Sequence, residues 1–228
     1  RGPSGGAYIE GQYNGAFGQW YLGIAGYSID WPSSPDYGFS NPAAEIDFFG
    51  GWRKEWDNAS VDIGLIYYYY PKEQLGIDSD FWEIYWKGGY AVTDKANVGL
   101  NLFYTPDVLN YGAGGGGNVR GLYGSVTADY TFWEQGDWSG AISGELGHWW
   151  IKNTPVFPAG NASYTYWNAG ISWTYKAVTL DLRYHGTDQS RTQCGNFLLV
   201  GAANPAAGWC KDAFIASLKF DTSLSALK

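Results

Sequence analysis

The sequence contains few residues of the kinds that build metal centres, nucleic-acid surfaces or helical membrane spans. Among its 228 residues there are no methionines, two histidines and two cysteines. Only 14 lysines and arginines stand against 22 aspartates and glutamates, and the net charge of −8 argues against a general nucleic-acid surface. No apolar run approaches the roughly 20 residues of a membrane-spanning helix.

Neither the histidines nor the cysteines predict a metal centre. His148 and His185 fall in different predicted strands, which is a poor arrangement for a shared metal ion. Cys194 and Cys210 lie in one loop-like segment, and we expect them to form a disulfide in an oxidising compartment. We therefore expect no metal, no other cofactor and no nucleic-acid partner.

Aromatic residues and glycine are abundant instead. Aromatics make up 19% of the chain, with 13 tryptophans and 19 tyrosines, and there are 33 glycines. In residues 44–71, apolar side chains alternate with charges such as Glu45, Asp47, Arg53 and Asp62. Residues i and i+2 share one face of a strand, whereas a helix would scatter both sets. The stretch therefore predicts a β-hairpin with one apolar and one polar face.

The same alternation recurs along the chain and predicts an all-β fold. Helical candidates are essentially missing, and most candidate strands are near the length of a tilted membrane strand, about 9–11 residues. We interpret residues 1–228 as one domain. The candidate strands are 7–14, 19–29, 43–53, 61–70, 81–91, 97–104, 122–132, 138–151, 164–175, 178–185 and 212–221.

The predicted connections alternate in length. Short turns at 14–18, 54–60, 93–96, 133–137 and 176–177 alternate with long loops at 30–42, 71–80, 105–121, 152–163 and 186–211. Short turns on one rim and long loops on the other are typical of an antiparallel transmembrane β-barrel in the bacterial outer membrane. We expect the loops 30–42, 105–121, 152–163 and 186–211 to be extracellular, where a protein partner could bind them.

Eleven strands are one short of the even number usual in such barrels. The first residues, RGPSGG, have the composition of a loop. We therefore expect a further strand before Arg1, which would close a barrel of twelve.

The two faces predict opposite environments. One face carries aliphatic residues in mid-strand and aromatic residues near the strand ends, which is the pattern of an apolar band with aromatic girdles in lipid and lipopolysaccharide. The other face carries charges on almost every strand, so we expect it to line a hydrated lumen. The predicted pore-lining residues are Glu10, Glu45, Asp47, Arg53, Asp62, Glu83, Lys87, Asp129, Glu145, Asp181, Arg183 and Lys219.

The charges of this predicted lumen are mostly acidic. With Asp221 included, nine acidic residues face four basic ones, an excess of five negative charges. A narrow lumen with low-dielectric walls focuses such a field. The sequence therefore predicts a passive channel for small hydrophilic solutes that prefers cations, although carboxylates that merely pair with the four bases would fit the same pattern.

Several motifs of the first half resemble the TorF-type porin family of proteobacterial outer membranes. They are the Arg1-Gly2 start, Glu45-Ile-Asp47 followed by Gly51-Trp52, Asp62-x-Gly64 running into Tyr68-x-Tyr70-Pro71, Trp82-Glu83-Ile84-Tyr85, and Tyr104-x-Pro106-Asp107. The resemblance implies an outer-membrane porin barrel and no particular solute. The terminal Leu227-Lys228 and the loops at 112–117 and 194–210 depart from the family pattern.

Two other functions are compatible with a barrel. A hydrolase would use His185 with Asp181, Arg183 and Ser190 nearby in sequence, but no nucleophile-elbow motif is present and we expect no catalytic residues. A structural barrel would have its narrow lumen plugged by large inward side chains, namely Phe49, Tyr68, Tyr85 and Phe103. Gly112-x-Gly114-x-x-Gly117 matches a dinucleotide fingerprint by letter, yet no helix is expected after it, so we interpret it as a surface loop.

Overall fold

The computed structural model describes residues 5–29, 42, 44–71, 78–114, 117–152, 162–197 and 208–223. Parts of the predicted loops 30–42, 71–80, 105–121, 152–163 and 186–211 lie outside these residues. So do the Arg1-Gly2 start and the Leu227-Lys228 end.

All eleven predicted strands are present, which confirms the all-β fold. The two predictions 138–151 and 164–175 match to the residue, and most of the other strands extend further than predicted. The strands are β1 Gly6–Gly15, β2 Gly18–Ser28, β3 Ala44–Trp56, β4 Ala59–Tyr69, β5 Phe81–Thr93, β6 Ala96–Thr105, β7 Gly121–Gln135, β8 Trp138–Ile151, β9 Tyr164–Tyr175, β10 Val178–Thr187 and β11 Ala213–Phe220.

The short connections are tighter than the sequence predicts. Each of the five hairpins leaves only two residues between its strands, so the predicted turns 54–60 and 133–137 were too long. Asp57, Gly136 and Lys176 have positive φ angles of 37°, 60° and 52°, which suit two-residue hairpin turns. The polar residues beside these turns continue the strand pairing: Lys54 pairs with Val61, and Glu134 pairs with Ser139.

The strands form one antiparallel sheet in chain order, from β1 to β11. Consecutive connections therefore alternate between two rims, with the two-residue turns on one and the long connections on the other. After ten antiparallel steps β1 and β11 run in the same direction, and an antiparallel ladder between them needs one further strand. The strand expected before Arg1 stays a prediction.

The polar face of the sheet is its concave face. Side chains on strands that are not neighbours reach each other there: Arg53 of β3 binds Glu10 of β1 at 2.7 Å, and Arg183 of β10 donates to the Ser143 hydroxyl of β8 at 2.7 Å. The curl brings the sheet's ends together, because the Tyr8 hydroxyl donates to Asp221 at 2.9 Å, just past β11. The sheet is therefore rolled into a barrel with its polar residues inside.

The apolar face is convex and open to its surroundings. Leu22 on β2 and Leu218 on β11 are each 75% exposed, although both would be buried in a soluble protein. Two bulges, at 91–93 in β5 and 131–133 in β7, lie near the turn rim, where such irregularities increase local twist and curvature.

Large rings on the concave face lie along the wall, over glycines. The ring of Tyr85 crosses Gly64 on the adjoining strand, where an added Cβ would meet a Tyr85 ring carbon at 2.5 Å and the Gly50 carbonyl oxygen at 2.6 Å. Phe49 likewise covers Gly23, and Tyr68 stacks on Phe81 with ring centroids 4.6 Å apart. These contacts hold the rings against the sheet. They do not favour a lumen that is plugged by these side chains.

Two short helical segments were missed by the sequence analysis. A seven-residue helix, α1 (Arg191–Phe197), lies in the last long connection, and a kinked 3₁₀ segment spans Val108–Gly114. Ser190 begins α1 with a reciprocal cap: its hydroxyl accepts from the Gln193 amide at 3.2 Å, and the Gln193 side chain accepts from the Ser190 amide at 2.9 Å. Among the described residues, no helix is long and apolar enough to cross a membrane.

The predicted disulfide between Cys194 and Cys210 is present, with Cα atoms 5.9 Å apart. It links α1 to the segment that leads into β11. Thr187, at the end of β10, donates from its hydroxyl to the Cys210 carbonyl oxygen at 2.9 Å. The last long connection is thus fixed to the barrel rim at both of its ends.

Reduction of this disulfide should loosen the connection without opening the barrel. A disulfide that closes a loop of about 15 residues restricts the conformations of the open loop. This restriction is expected to stabilise the closed loop by roughly 3 kcal/mol. Trypsin should therefore cut at Arg191 and Lys211 faster after reduction, while cleavage at Lys95 in a hairpin turn stays constant. Equal cleavage rates before and after reduction would contradict this role.

Gly64→Ala should destabilise the barrel because the new methyl group takes the space of the Tyr85 ring and approaches the Gly50 carbonyl. Overpacking of this kind typically costs about 1–3 kcal/mol. Urea unfolding in detergent, followed by tryptophan fluorescence, measures the loss. Gly26→Ala is the matched control, since a Cβ there meets nothing within 4 Å. Equal midpoints for the two variants would show that the ring does not need the glycine.

Candidate pore interior

Three of the four predicted basic residues of the lumen are paired with carboxylates. Arg53 contacts Glu10 at 2.7 Å, Arg183 contacts Asp181 at 2.8 Å, and Lys219 contacts Asp221 at 2.9 Å. The two arginine pairs are partly buried on the concave face, whereas Lys219 and Asp221 lie at the exposed edge beside β1. These pairs neutralise three acidic residues.

Most of the other acidic residues are held by tyrosine hydroxyls, which carry no charge. Each carboxylate accepts from a tyrosine outside its own strand, and Asp221, already paired with Lys219, follows the same pattern. The pairs are Tyr21–Asp62, Tyr68–Glu83 at 3.0 Å, Tyr70–Glu45 at 2.6 Å, Tyr123–Glu145 at 2.7 Å and Tyr8–Asp221 at 2.9 Å. A neutral donor fixes a carboxylate in place without cancelling its charge.

Side-chain amides are a second kind of neutral donor. Asp129 accepts from the Asn97 side-chain amide at 2.9 Å, and the second oxygen of Glu145 accepts from Asn168 at 3.2 Å. Asp62 lies in register between Arg53 and Lys87, yet its hydrogen bond comes from Tyr21. Six of the nine acidic residues thus have no cationic partner among the described residues, against one unpaired base, and the excess of five negative charges persists.

Glu45, Asp47 and Glu83 lie together at the long-loop end of the barrel. Burial raises the pKa of Tyr70, just past the end of β4, so this phenol stays protonated and donates to Glu45. One oxygen of Asp47 and one of Glu83 are buried without a hydrogen-bond partner among the described residues. Within the same residues no cluster of three or more acidic, histidine or cysteine side chains is arranged to hold a metal ion.

Lys87 is the unpaired base. Its Nζ lies 4.6 Å from the ring centroid of Tyr85 and 5.4 Å from that of Phe103, and no carboxylate forms an ion pair with it among the described residues. It borders a cavity of about 340 Å³ in the part of the lumen nearer the turns. Polar residues dominate the inner wall of this cavity, including Asp62, Asn97, Asn101 and Asp129.

The connection between β6 and β7 folds against the inner wall at the mouth. Asp107 accepts from the backbone amides of Gly112 at 2.9 Å and Val119 at 2.8 Å, which closes this loop on itself. Val108 and Val119 then pack with Ile151 and contact Trp149, which faces inward beside Tyr123. The glycines of the dinucleotide-like motif therefore belong to a loop that narrows the mouth.

The geometry does not support the hydrolase hypothesis. His185 contacts the Tyr166 hydroxyl through Nδ1 at 2.7 Å, whereas the Ser190 hydroxyl caps α1. His148 contacts the Thr165 hydroxyl at 3.0 Å and packs beside Trp150, with ring centroids 4.8 Å apart, as expected for a side chain near an aromatic girdle. No described serine contacts either histidine.

The sequence analysis did not predict that tyrosine hydroxyls donate to the carboxylates of the concave face. Tyr8, Tyr21 and Tyr123 share the parity of Glu10, Gln19 and Ser125 along their strands, so the period of two could have placed them on the polar face. The identity of the acid that each one binds depends on strand register and on the curl of the sheet. Neither quantity can be read from spacing within one strand.

Comparison with solved structures finds two porins. One, described as the NanC porin in a rhombohedral crystal form, has a TM-score of 0.60 and 12% identity, covering 96% of this chain and 94% of that chain. Another, described as a porin refined at 1.8 Å resolution, has a TM-score of 0.45 and 12% identity, covering 92% and 60% of the two chains. At 12% identity, the likeness to the NanC porin shows the fold alone.

No curated protein matches the sequence. A family model does match, over residues 11–212, which include all of β2 to β10 and the second half of β1. The chain therefore belongs to the family described as bacterial protein of unknown function (Gcw_chp).

Proposed function

We propose that this chain is an outer-membrane channel through which small hydrophilic solutes and cations diffuse passively. The observation that carries this proposal is the concave face, on which carboxylates are fixed by neutral donors while apolar side chains cover the convex face. A soluble barrel would bury its apolar face. The reverse arrangement fits a water-filled lumen within a lipid bilayer.

The charges of the interior support a preference for cations. Six carboxylates and one lysine face the lumen outside the three ion pairs. Low-dielectric walls focus the field of this excess, and a cation entering the lumen gains from it while an anion is repelled. Tyrosine and asparagine donors leave that field intact, whereas lysine or arginine partners would remove it.

The packing of the wall supports an interior that admits solutes. Phe49 and Tyr85 lie over glycines instead of pointing toward the barrel axis, and a polar cavity of about 340 Å³ remains beside Lys87. At the mouth, the loop between β6 and β7 packs on Trp149 and narrows the entrance from one side. A narrow lumen of this kind suits small solutes.

The proposal also covers the membrane in which the barrel lies and the side of that membrane on which the long connections lie. The likeness in fold to the NanC porin and the exposed convex face support a location in outer-membrane lipid and lipopolysaccharide. The long connections would lie outside the cell, where the disulfide is compatible with oxidising conditions. The TorF-type porin family, which the first half of the chain resembles, would then be the narrower assignment.

Single-channel conductance of the purified protein in a planar bilayer tests the channel itself. We expect discrete, long-lived current steps that scale with salt concentration. Heat-denatured protein is the control for detergent artefacts. A correctly folded barrel that inserts into the bilayer without current would contradict the channel and favour a structural role.

Glu45→Gln combined with Asp47→Asn should reduce the preference for cations. Both residues lie on β3 at the long-loop end, and the double variant removes two of the unpaired negative charges. Reversal potentials across a KCl gradient should show potassium favoured in the wild type. The preference should fade near 1 M salt, as the Debye length falls from about 10 Å at 0.1 M to about 3 Å.

The matched control for this prediction removes two charges outside the lumen. Asp57→Asn with Asp94→Asn changes exposed residues of two hairpin turns and should leave the reversal potential nearly unchanged. Anion preference in the wild type, or equal shifts in both double variants, would contradict the assignment of Glu45 and Asp47 to the conducting path.

A further inference from the structure

Lys87 is an unusual charge for this lumen because its ammonium group is available to a ligand. Arg53, which also borders the cavity, is already bound to Glu10 and Gln19. Lys87 has no ion pair among the described residues, although Asp62 is its direct cross-strand neighbour. Asp62 instead accepts from Tyr21, which in turn contacts the Tyr85 hydroxyl.

Two rings hold the ammonium group without using its hydrogen-bond donors. The Nζ lies over the faces of Tyr85 and Phe103, at 4.6 Å and 5.4 Å from their centroids. Ring faces attract a cation electrostatically, and this attraction leaves N–H groups free for an acceptor. The rings are themselves positioned by the wall, because Tyr85 covers Gly64.

The cavity beside Lys87 also offers negative charge and amide groups. Asp129 accepts from Asn97 and has no cationic partner among the described residues, and Asn101 donates to Ser125 at 3.1 Å while its amide oxygen can still accept. Asp62, Asp129 and Lys87 border the same space of about 340 Å³. This volume is at the lower end of the range for small-molecule sites.

The balance of charges decides which solute fits. A simple anion would reach Lys87 only against the excess negative charge of the lumen, and a simple cation would leave Lys87 unmatched. A molecule with one carboxylate and one ammonium group has no net charge to be repelled and can satisfy both kinds of group. We propose that the cavity at Lys87 binds small zwitterions of the α-amino acid type, with the carboxylate on Lys87 and the ammonium group on Asp62, its direct cross-strand neighbour.

This proposal deepens the proposed function, since it requires a water-filled lumen, but its test does not depend on current. Isothermal titration of the detergent-purified barrel compares three probes of similar size: L-alanine, L-alaninamide, which lacks the carboxylate, and L-lactate, which lacks the ammonium group. We expect alanine to bind more tightly than either of the others. Equal binding of alanine and alaninamide would overturn the role of Lys87.

Lys87→Gln should weaken alanine binding by roughly tenfold or more, as for the loss of a charge-assisted hydrogen bond. The same variant should not weaken alaninamide binding. Lys87→Arg should retain most of the affinity for alanine, because a guanidinium also stacks on rings and binds carboxylates. Lys95→Gln removes the same charge from an exposed turn and should change nothing.

Retention of wild-type affinity in Lys87→Gln would overturn the site. If that variant fails to fold, the comparison of alanine with alaninamide on the wild type and on Lys87→Arg decides the question. Alanine binding that depends on Lys87 in a barrel without current would contradict the channel and leave the site standing. Current without alanine binding would contradict the site and leave the channel standing.

Discussion

The arrangement proposed for this protein depends on one constraint: a strand inside a bilayer must pair all of its backbone polar groups with other strands. The unbroken antiparallel ladder from β1 to β11 meets that constraint for every strand with two neighbours. It also forces successive side chains to opposite faces, so in the proposed membrane barrel one half of each strand's residues contacts lipid and the other half faces the lumen. The exposed leucines of the convex face and the carboxylates of the concave face are two results of the same pairing.

Within the lumen, the choice of hydrogen-bond donor sets the electrostatic character. A carboxylate that is partly removed from water needs a donor, and either a cation or a neutral group can supply it. The barrel uses arginine or lysine for Glu10, Asp181 and Asp221, and tyrosine for Asp62, Glu83, Glu45 and Glu145. The contacts that stabilise the wall thus preserve the negative field. The Tyr123 ring also covers Gly147 and the Tyr21 hydroxyl lies over Gly51, so these two side chains lie against the sheet.

Much of the fold could be predicted from the period of two. Alternation located every strand, and the long and short connections predicted the two rims. The strand ends at 53 and 132 were wrong because polar residues such as Lys54 and Glu134 resemble turn residues although they continue the ladder. The helix α1 was missed because seven residues show no clear helical period, although the spacing of Ser190 and Gln193 is that of a capping box.

The interior was less predictable than the fold. Parity along each strand placed Asp62 and Lys87 on one face, and their register makes them neighbours. The absence of an ion pair between them depends on Tyr21, two strands away from Asp62, and on the rings of Tyr85 and Phe103. Such contacts arise from the curl of the sheet, which brings distant strands together on its concave side. No pattern within a single strand encodes that distance.

The central claim is that the polar face lines water and the apolar face lies in lipid, and spin labels along β4 test it most directly. Single labels at Asp62, Ile63, Leu65 and Ile66 in reconstituted barrels would be probed with molecular oxygen, which concentrates in lipid, and with a water-soluble nickel chelate. We predict that labels at Ile63 and Leu65 collide mainly with oxygen and labels at Asp62 and Ile66 mainly with the chelate. A hydrated lumen on this face would be contradicted if the labels at Asp62 and Ile66 were shielded from the chelate. It would also be contradicted if the labels at Ile63 and Leu65 collided with the chelate instead.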